Sequence, residues 1–450
     1  MCCMKKLNLI IPLVMVFSVV MFSNAAADDN TALTLREAVT KAIRTHPSIQ
    51  AEKMVYLAQK EAVSNARSGF FPSIDFSADA GYEDVHNSLT RNRQLSGLDD
   101  DNDRGMWYHT QTLSLTQLLY DGSFTKSRYD AQNHRLRAAR ILADGSADQI
   151  ALEVIENYMN ILRARKIIRF AKENIVRLKD LRNTTRMRLE KGKGTVTDVD
   201  RVQLTLSDSR AVLENYQGIL QNAGDRFSLL TGANANLITR QTGKIKLPFE
   251  TVEKAVDQAR EKNKSLLVAR ANIFQKESDL KTSKAAYHPK VNLIAQATRE
   301  ENIEGLEDVD TTVAGLVRVK YNLFKGGGDR ATIFRNASLL SEARLREKEL
   351  MLNVEANVRV EFNNMYTANR QIPFLEEKVG QNIKVLESYE EQFLVDKRDI
   401  MDVIEAQKMM FTFQAALENM ETEKKLAQFR ILSITGQLFE ILGIEFNPEI

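Results

Sequence analysis

The hydrophobic and polar positions of this chain alternate with a period of two in two separate places. In "PSIDFSADAGY", residues 72–82, every second side chain is apolar, which is typical of a strand with one apolar face. A polar stretch follows, and "YHTQTLSLTQLLY" at 108–120 is predicted to be the return strand. The second half of the chain repeats this arrangement. The pattern therefore predicts two β-hairpins, at about 72–120 and 289–324.

Helical patterns surround both hairpins. "LTLREAVTKAI" places Thr34 three residues before Glu37, a capping box that opens a helix, and His46-Pro47 predicts a break in that helix. Residues 122–191 contain no proline, and at 1.5 Å per residue they predict a helix about 105 Å long. Apolar residues at heptad spacing predict a second helix that packs back against it. The predicted long and returning helices are 122–191 and 195–231 in the first half, and 326–394 and 399–435 in the second.

The two halves of the chain are copies of one unit. "REAVTKAIRTHPSIQ", from residue 36, matches "EKAVDQAREKNKSLL", which begins 217 residues later. "LLYDG", from residue 118, matches "NLFKG" at an offset of 204. We therefore expect an internal duplication with a first repeat at 28–240 and a second at 241–450. The one large length difference falls between about 80 and 110, where a surface loop is expected.

The stretch "KGKGTVTDVDRVQ", residues 191–203, superficially resembles a phosphate-binding loop. A true loop of that kind reads G-x-x-x-x-G-K-[ST] between a strand and a helix, and neither condition holds here. "VDKRDIMDVIEAQ", 204 residues later, repeats the stretch without its glycines. We therefore interpret both stretches as turns at the tips of antiparallel helical hairpins. Gly192 and Gly194 are expected to supply backbone freedom in the first turn, and Asp396 in the second.

The first residues have the pattern of a secretory signal. Two lysines precede sixteen mostly apolar residues, and three alanines at 25–27 supply a cleavage site, so residues 1–27 are predicted to be a signal peptide. Cys2 and Cys3 precede the apolar run and would leave with it, so no disulfide or lipid anchor is expected. Loss of the two lysines lowers the 62 basic residues to 60, which equals the 60 acidic ones. This balance gives no reason to expect nucleic acid as a partner.

Residues with catalytic or metal-binding chemistry form no recognisable pattern. The five histidines lack metal-ligand spacing, and no nucleophile is paired with a base. The sequence therefore predicts no catalytic residue, no cofactor and no metal site. A purely structural periplasmic coiled coil is a further alternative, but it leaves the two alternating hairpins unexplained.

Four strands with one apolar face are too few to close a barrel within one chain. In a secreted chain, such strands are expected in an outer membrane, where closed barrels satisfy every backbone hydrogen bond. Two chains would give eight strands with a filled interior, whereas three chains would give twelve strands and a pore.

The duplicated order of helix, hairpin and long helix, together with "LLYDG", "NLFKGGGDR", "GKGTVTDV" and "DKRDIMDV", resembles the TolC-like outer-membrane efflux proteins. The resemblance covers the whole mature chain. It implies a mainly α-helical homotrimer whose small β part forms a twelve-stranded outer-membrane barrel, continued by a long periplasmic α-helical barrel. It also implies a duct without catalytic activity, which docks a periplasmic adaptor protein and an inner-membrane pump. Asp396 departs from the family, which usually has glycine there.

The resemblance also suggests which residues close the duct. Asp402 and Glu405 are implied to form an acidic periplasmic gate, and Thr197, Asp198 and Arg398 a lock between neighbouring hairpins at the tip. The tip turns themselves are the expected docking positions for the adaptor. The absence of a lipobox and the sequence after the first tip favour the branch that serves ABC-driven type I secretion of proteins. The alternative is efflux of drugs or other small molecules with a proton-driven or ABC pump.

Overall fold

The computed structural model describes residues 32–85, 105–239, 245–303 and 308–449. The fold is mainly helical with one four-stranded antiparallel sheet, as the sequence predicts. The predicted signal peptide and most of the predicted surface loop lie outside the described residues. The elements of the first half are α1 (Leu35–Thr45), α2 (Pro47–Ser68), β1 (Ser73–Asp84), β2 (Gly105–Tyr120), α3 (Phe124–Glu190) and α4 (Val196–Thr231). Those of the second half are α5 (Val252–Lys262), α6 (Lys264–Lys284), β3 (Lys290–Glu301), β4 (Val309–Lys320), α7 (Gly328–Leu394), α8 (Ile400–Ile434) and α9 (Leu438–Leu442).

The helices begin and end at the local signals in the sequence. The backbone N–H of Thr34 donates to the Glu37 carboxylate at 2.8 Å, and the N–H of Glu37 donates to the Thr34 hydroxyl at 3.3 Å, so the capping box is formed. Pro47 is the first residue of α2, where its missing N–H has no helical partner to lose. The long helices α3 and α7 have 67 residues each, or about 100 Å at 1.5 Å per residue.

The long helix α3 lies at the centre of the helical part. It packs against α1 and α2 of its own repeat, runs antiparallel to α4, and also contacts α6 and α8 of the second repeat. Many of its buried positions are small, which lets the neighbouring helices approach closely; these are Ala131, Ala138, Ala139, Ala143, Ala147, Ala151, Ala164 and Ala171. Within the described residues, none of the helices combines the length and the hydropathy of a membrane span.

The sheet has the order β1-β2-β3-β4, and apolar and polar rows alternate across it. One row contains Phe76, Leu113, Ala297 and Val313, and the next contains Ser77, Thr112, Thr298 and Thr312. The side chains at both ends of the apolar row are exposed in the single chain, where Phe76 is 68% exposed and Val313 80% exposed. On the other face the hydroxyls of Thr112 and Thr298 lie 3.3 Å apart. The predicted period of two is confirmed.

The two outer strands of the sheet each have a single neighbour in the described chain. β1 pairs only with β2, and β4 pairs only with β3, so each presents an unpaired row of backbone N–H and C=O groups. An exposed apolar face with two open edges is the arrangement that a barrel built from several chains requires.

Candidate functional site at the helical tip

The first tip turn connects α3 to α4 through a left-handed glycine and a helix cap. Gly192 adopts a left-handed conformation with φ of 73°, and the N–H of Lys193 donates back to the Arg188 carbonyl at 2.8 Å. The next helix is then capped, because the Thr195 N–H donates to Asp198 at 2.9 Å and the Asp198 N–H to the Thr195 hydroxyl at 3.2 Å. Only Gly192 needs glycine for its φ; Gly194 does not have a positive φ.

The second tip has the same turn without glycine. Asp396 adopts φ of 61°, and the N–H of Lys397 donates to the Gln392 carbonyl at 2.9 Å, as Lys193 does at the first tip. Asp399 then caps α8 by accepting a hydrogen bond from the Met401 N–H at 2.7 Å. An aspartate tolerates the left-handed region better than most residues, which is why the turn survives the loss of glycine.

Asp396 also joins the two tips of one chain. Its carboxylate forms an ion pair with Arg188, the residue near the end of α3, and lies 3.3 Å from the Lys193 ammonium. The Arg188 guanidinium donates to the Phe393 carbonyl at 2.7 Å and lies 4.5 Å from the centre of the Phe393 ring. We call Arg188, Lys193 and Asp396 the tip clamp. The ion pairs of Asp396 were not foreseen from the sequence. The signal was a charged residue at the position that Gly192 occupies in the first repeat.

The residues of the predicted lock lie close to the two tip turns in sequence, but no hydrogen bond or ion pair joins Arg398 to Thr197 or Asp198 within the described chain. Arg398 donates to Asp402 at 3.2 Å and to Gln392 at 3.3 Å, and its guanidinium lies 4.2 Å from the centre of the Tyr389 ring. Asp198 serves as a helix cap, and Thr197 is exposed. The lock therefore remains a prediction, in which Arg398 contacts Thr197 and Asp198 of an adjacent hairpin.

The predicted gate residues lie on one face of α8. Val403 and Ala406 are buried in the hairpin, whereas Asp402 is half-buried and Glu405 is exposed. Glu405 borders a groove of about 540 Å³ between α3, α4 and α8, together with Ile404 and Lys408. Arg398 forms an ion pair with Asp402 and not with Glu405. The negative charge of Glu405 is therefore the one that Arg398 does not compensate. In the described residues, no cluster of histidine, cysteine or carboxylate side chains has the arrangement of a metal site.

The chain belongs to the outer membrane efflux protein family, whose model matches residues 38–233 and 255–437. It is 22% identical over 442 residues to the outer membrane efflux protein BepC of Brucella suis, covering 97% of this chain and 93% of BepC. To the outer membrane protein TolC of Vibrio cholerae it is 23% identical over 453 residues, covering 97% of both proteins. To the proteases secretion protein PrtF of Dickeya chrysanthemi it is 21% identical over 422 residues, covering 91% of this chain and 89% of PrtF.

Solved structures have the same fold. The outer membrane protein VceC of Vibrio cholerae superposes with a TM-score of 0.75 at 16% identity, over 91% of this chain and 96% of VceC. The CmeC outer membrane channel of Campylobacter jejuni gives 0.77 at 12% identity, over 90% of this chain and 86% of CmeC. The predicted family, fold class and outer-membrane location are confirmed, and the family is one of channels rather than enzymes.

Proposed function

We propose that the protein is the exit duct of a tripartite export system and passes proteins out of the cell by type I secretion. Three chains would close a twelve-stranded barrel from the four-stranded sheets, and their long helices would continue the duct through the periplasm. A periplasmic adaptor would dock at the tip turns around Gly192, Gly194 and Asp396, and an inner-membrane ABC transporter would drive export. Outer-membrane lipid would surround the apolar rows of the barrel.

The observation that favours a protein cargo is the match to PrtF, whose name describes the secretion of proteases and which aligns over 91% of this chain. The second candidate is efflux of drugs or other small molecules, with a proton-driven or ABC pump. It is supported by the similarly long match to BepC, whose name describes efflux.

Deletion of the gene tests the two candidates directly. For a secretion duct, we expect one or more large proteins to disappear from the culture medium and to return when the wild-type gene is restored. For an efflux duct, the medium proteins stay the same and sensitivity to toxic small molecules rises. An unchanged secreted proteome with raised drug sensitivity would overturn the assignment to type I secretion.

The same strains provide a test of the duct itself. The wild-type protein should fractionate with the outer membrane and survive mild detergent as an oligomer, because its sheet has two open edges. A soluble monomer would contradict the proposal for either cargo.

A further inference from the structure

The two faces of the sheet differ in how far their side chains are covered. On the apolar face of the central strands, Leu113 and Leu293 are 51% and 42% exposed. On the other face of β3, Ile294 and Thr298 are only 6% and 9% exposed. Side chains crowd one another on the concave side of a curved sheet, so the face that carries Thr298 is the concave one. We call it the inner face, because the concave side of such a sheet lines the lumen of a barrel.

One end of the inner face is basic. In the register of the two strands, Lys290 of β3 lies opposite Lys320 of β4, and Asn292 lies opposite Arg318 in the next row of this face. The three basic side chains are exposed, and none of them forms an ion pair within the described part of the chain. We call Lys290, Arg318 and Lys320 the basic belt. Like charges directly opposite each other destabilise a sheet, so the fold itself gains nothing from facing Lys290 with Lys320.

The other face carries no charge at this end of β4. Val317 and Val319 alternate with Arg318 and Lys320 along the strand, and they are 60% and 63% exposed. In the proposed barrel these valines meet lipid, since successive side chains of a strand point to opposite faces. The cations of β4 therefore belong to the lumen and not to the surface that meets lipid headgroups.

The basic belt is confined to the second repeat. β1 and β3 begin 217 residues apart, and β2 and β4 begin 204 residues apart, so each position of one hairpin has a counterpart in the other. The counterparts of the three basic residues all carry a hydroxyl group; they are Ser73, Ser114 and Thr116. The same strand positions thus accept small polar side chains in one hairpin and cations in the other. The positive charge is an addition to this hairpin and not a requirement of its fold.

The opposite end of the inner face is acidic. Glu300 of β3 lies opposite Asp310 of β4, and in the same row Asp79 of β1 lies opposite Thr110 of β2. Glu300 is ten residues from Lys290 along β3, or about 34 Å at 3.4 Å per residue. This distance is several times the Debye length of about 8 Å at physiological ionic strength. The acidic row therefore does not neutralise the basic belt.

We propose that the basic belt is a weak anion-binding ring in the lumen, and that it takes acidic segments of a polypeptide cargo as they enter the barrel. The inference rests on the proposed trimer and protein cargo, since three chains would place nine basic side chains around one lumen. Alternate side chains of an extended chain are about 6.8 Å apart, which is also the spacing of the rows that carry Arg318 and Lys320. An extended acidic segment therefore contacts both rows at once. Water and salt screen these exposed charges, so the segment is also released.

Block of the ionic current by hexaglutamate tests the basic belt. The peptide is added to wild-type channels in planar bilayers, on the side onto which the acidic end of the barrel opens, and the applied voltage draws anions inward. We expect a reversible block that weakens as the salt concentration is raised. In the triple variant Lys290→Ser, Arg318→Ser and Lys320→Thr, which carries the residues of the first repeat, the half-blocking concentration should rise by roughly tenfold or more. The reason is that several exposed ion pairs, each weak, are lost together.

Two matched variants separate charge from structure. Lys290→Arg with Arg318→Lys and Lys320→Arg keeps every charge of the belt and should be blocked like the wild type. Arg318→Ser alone disturbs the strand least and should raise the half-blocking concentration part of the way. Each variant is compared at equal amounts of oligomer in the outer-membrane fraction, so that poor insertion is not read as weak block.

The acidic row supplies a change of opposite sign. Asp79→Asn with Glu300→Gln and Asp310→Asn removes the carboxylates that hexaglutamate must pass on its way to the basic belt. This variant should be blocked at a lower peptide concentration than the wild type, because the repulsion at the entrance is gone. A raised half-blocking concentration would instead place the anion site at the acidic end and overturn the proposal.

The outcomes distinguish the belt from the duct. Equal block of the wild type and the triple variant by hexaglutamate would overturn the basic belt as an anion site, while the conducting channel leaves the proposed duct in place. Block by inorganic tripolyphosphate without block by hexaglutamate would overturn the acidic polypeptide as its ligand. A wild type that forms neither an oligomer nor a channel would overturn the duct and the belt together.

Discussion

Arg188 and Asp396 form an ion pair between the two tips of one chain, although 208 residues separate them. The Arg188 side chain is only 16% exposed, and it also holds the Phe393 carbonyl. The counterparts of this pair 204 residues away are Gln392 and Gly192, which carry no charge. In the proposed trimer, the clamp would therefore exist within each chain and be missing between chains.

The first prediction concerns the tip clamp. Asp396→Gly keeps the left-handed turn but removes the ion pairs with Arg188 and Lys193, so we expect a higher resting conductance in planar bilayers. Asp396→Ala also removes them and adds the strain of a left-handed alanine, about 1–2 kcal/mol, so it should melt below the glycine variant. Gly192→Ala is the control, because it strains the first tip and leaves the ion pairs in place. Wild-type conductance in Asp396→Gly would contradict a role for the clamp in closure.

The second prediction concerns the lock. Arg398→Ser should raise resting conductance, because it removes the cation expected to hold Thr197 and Asp198 of an adjacent hairpin. Arg398→Lys keeps the charge and should have a smaller effect. Thr251→Ala serves as a stability control, since loss of the cap of α5 costs about 1 kcal/mol without touching a lock residue. If Arg398→Ser conducts like the wild type, Arg398 is only a surface partner of Asp402.

The third prediction concerns the gate. Three copies of Asp402 and Glu405 would place six carboxylates around one constriction, and such rings favour cations. Asp402→Ala with Glu405→Ala should therefore reduce cation preference, measured as the reversal potential in a salt gradient, and should weaken block by multivalent cations. We expect most of the change from Glu405→Ala alone, because Arg398 already compensates Asp402. Asp200→Ala, at an exposed acid on α4, should leave selectivity unchanged, and an equal effect there would count against the gate.

The fourth prediction uses the two faces of β4. Val317 is 60% exposed on the apolar face, so Val317→Arg would place a charge against lipid at a cost of about 2–4 kcal/mol near the bilayer centre. We expect much less protein in the outer-membrane fraction. Thr312→Arg is the matched control, since Thr312 is exposed and lies in the polar row on the other face, so this variant should insert normally. Equal insertion of both variants would mean that the apolar face does not meet lipid.

The fifth prediction follows from a buried acid in α3. Burial raises the pKa of Asp148 from its ordinary value of 3.8 to about 7, and the attraction of Lys264 offsets this only in part. Between about pH 4 and pH 7 the folded state therefore holds a proton on Asp148 that the unfolded state has released. The stability that this proton contributes to the folded state is lost as the pH rises through about 7. The melting temperature of the wild type should fall between pH 5 and pH 8, and that of Asp148→Asn should fall less. Asp225→Asn, at an exposed acid, should follow the wild type; an identical fall in Asp148→Asn would show that Asp148 does not bind this proton.

Local pattern in the sequence accounts for most of the fold. The alternation around Phe76 and Val313 determines which face of each strand is apolar, because the side chains of a strand point to opposite faces in turn. The duplication and the absence of proline from residues 122–191 predict the long helices within two residues of their ends in the structure. The turn at Asp396 also follows from sequence, since its backbone conformation is set by neighbouring residues.

Tertiary structure alone decided the contacts between residues that are far apart in the chain. No periodicity joins Arg188 to Asp396, because the pair depends on how two hairpins align at their tips. The burial of Asp148 likewise depends on packing between helices, and its charged neighbour Lys264 belongs to α6, a helix of the other repeat. The sequence by itself determined the elements and their faces, which are local properties. The tip clamp and the burial of Asp148 depend on the distances between helices, which only the tertiary structure sets.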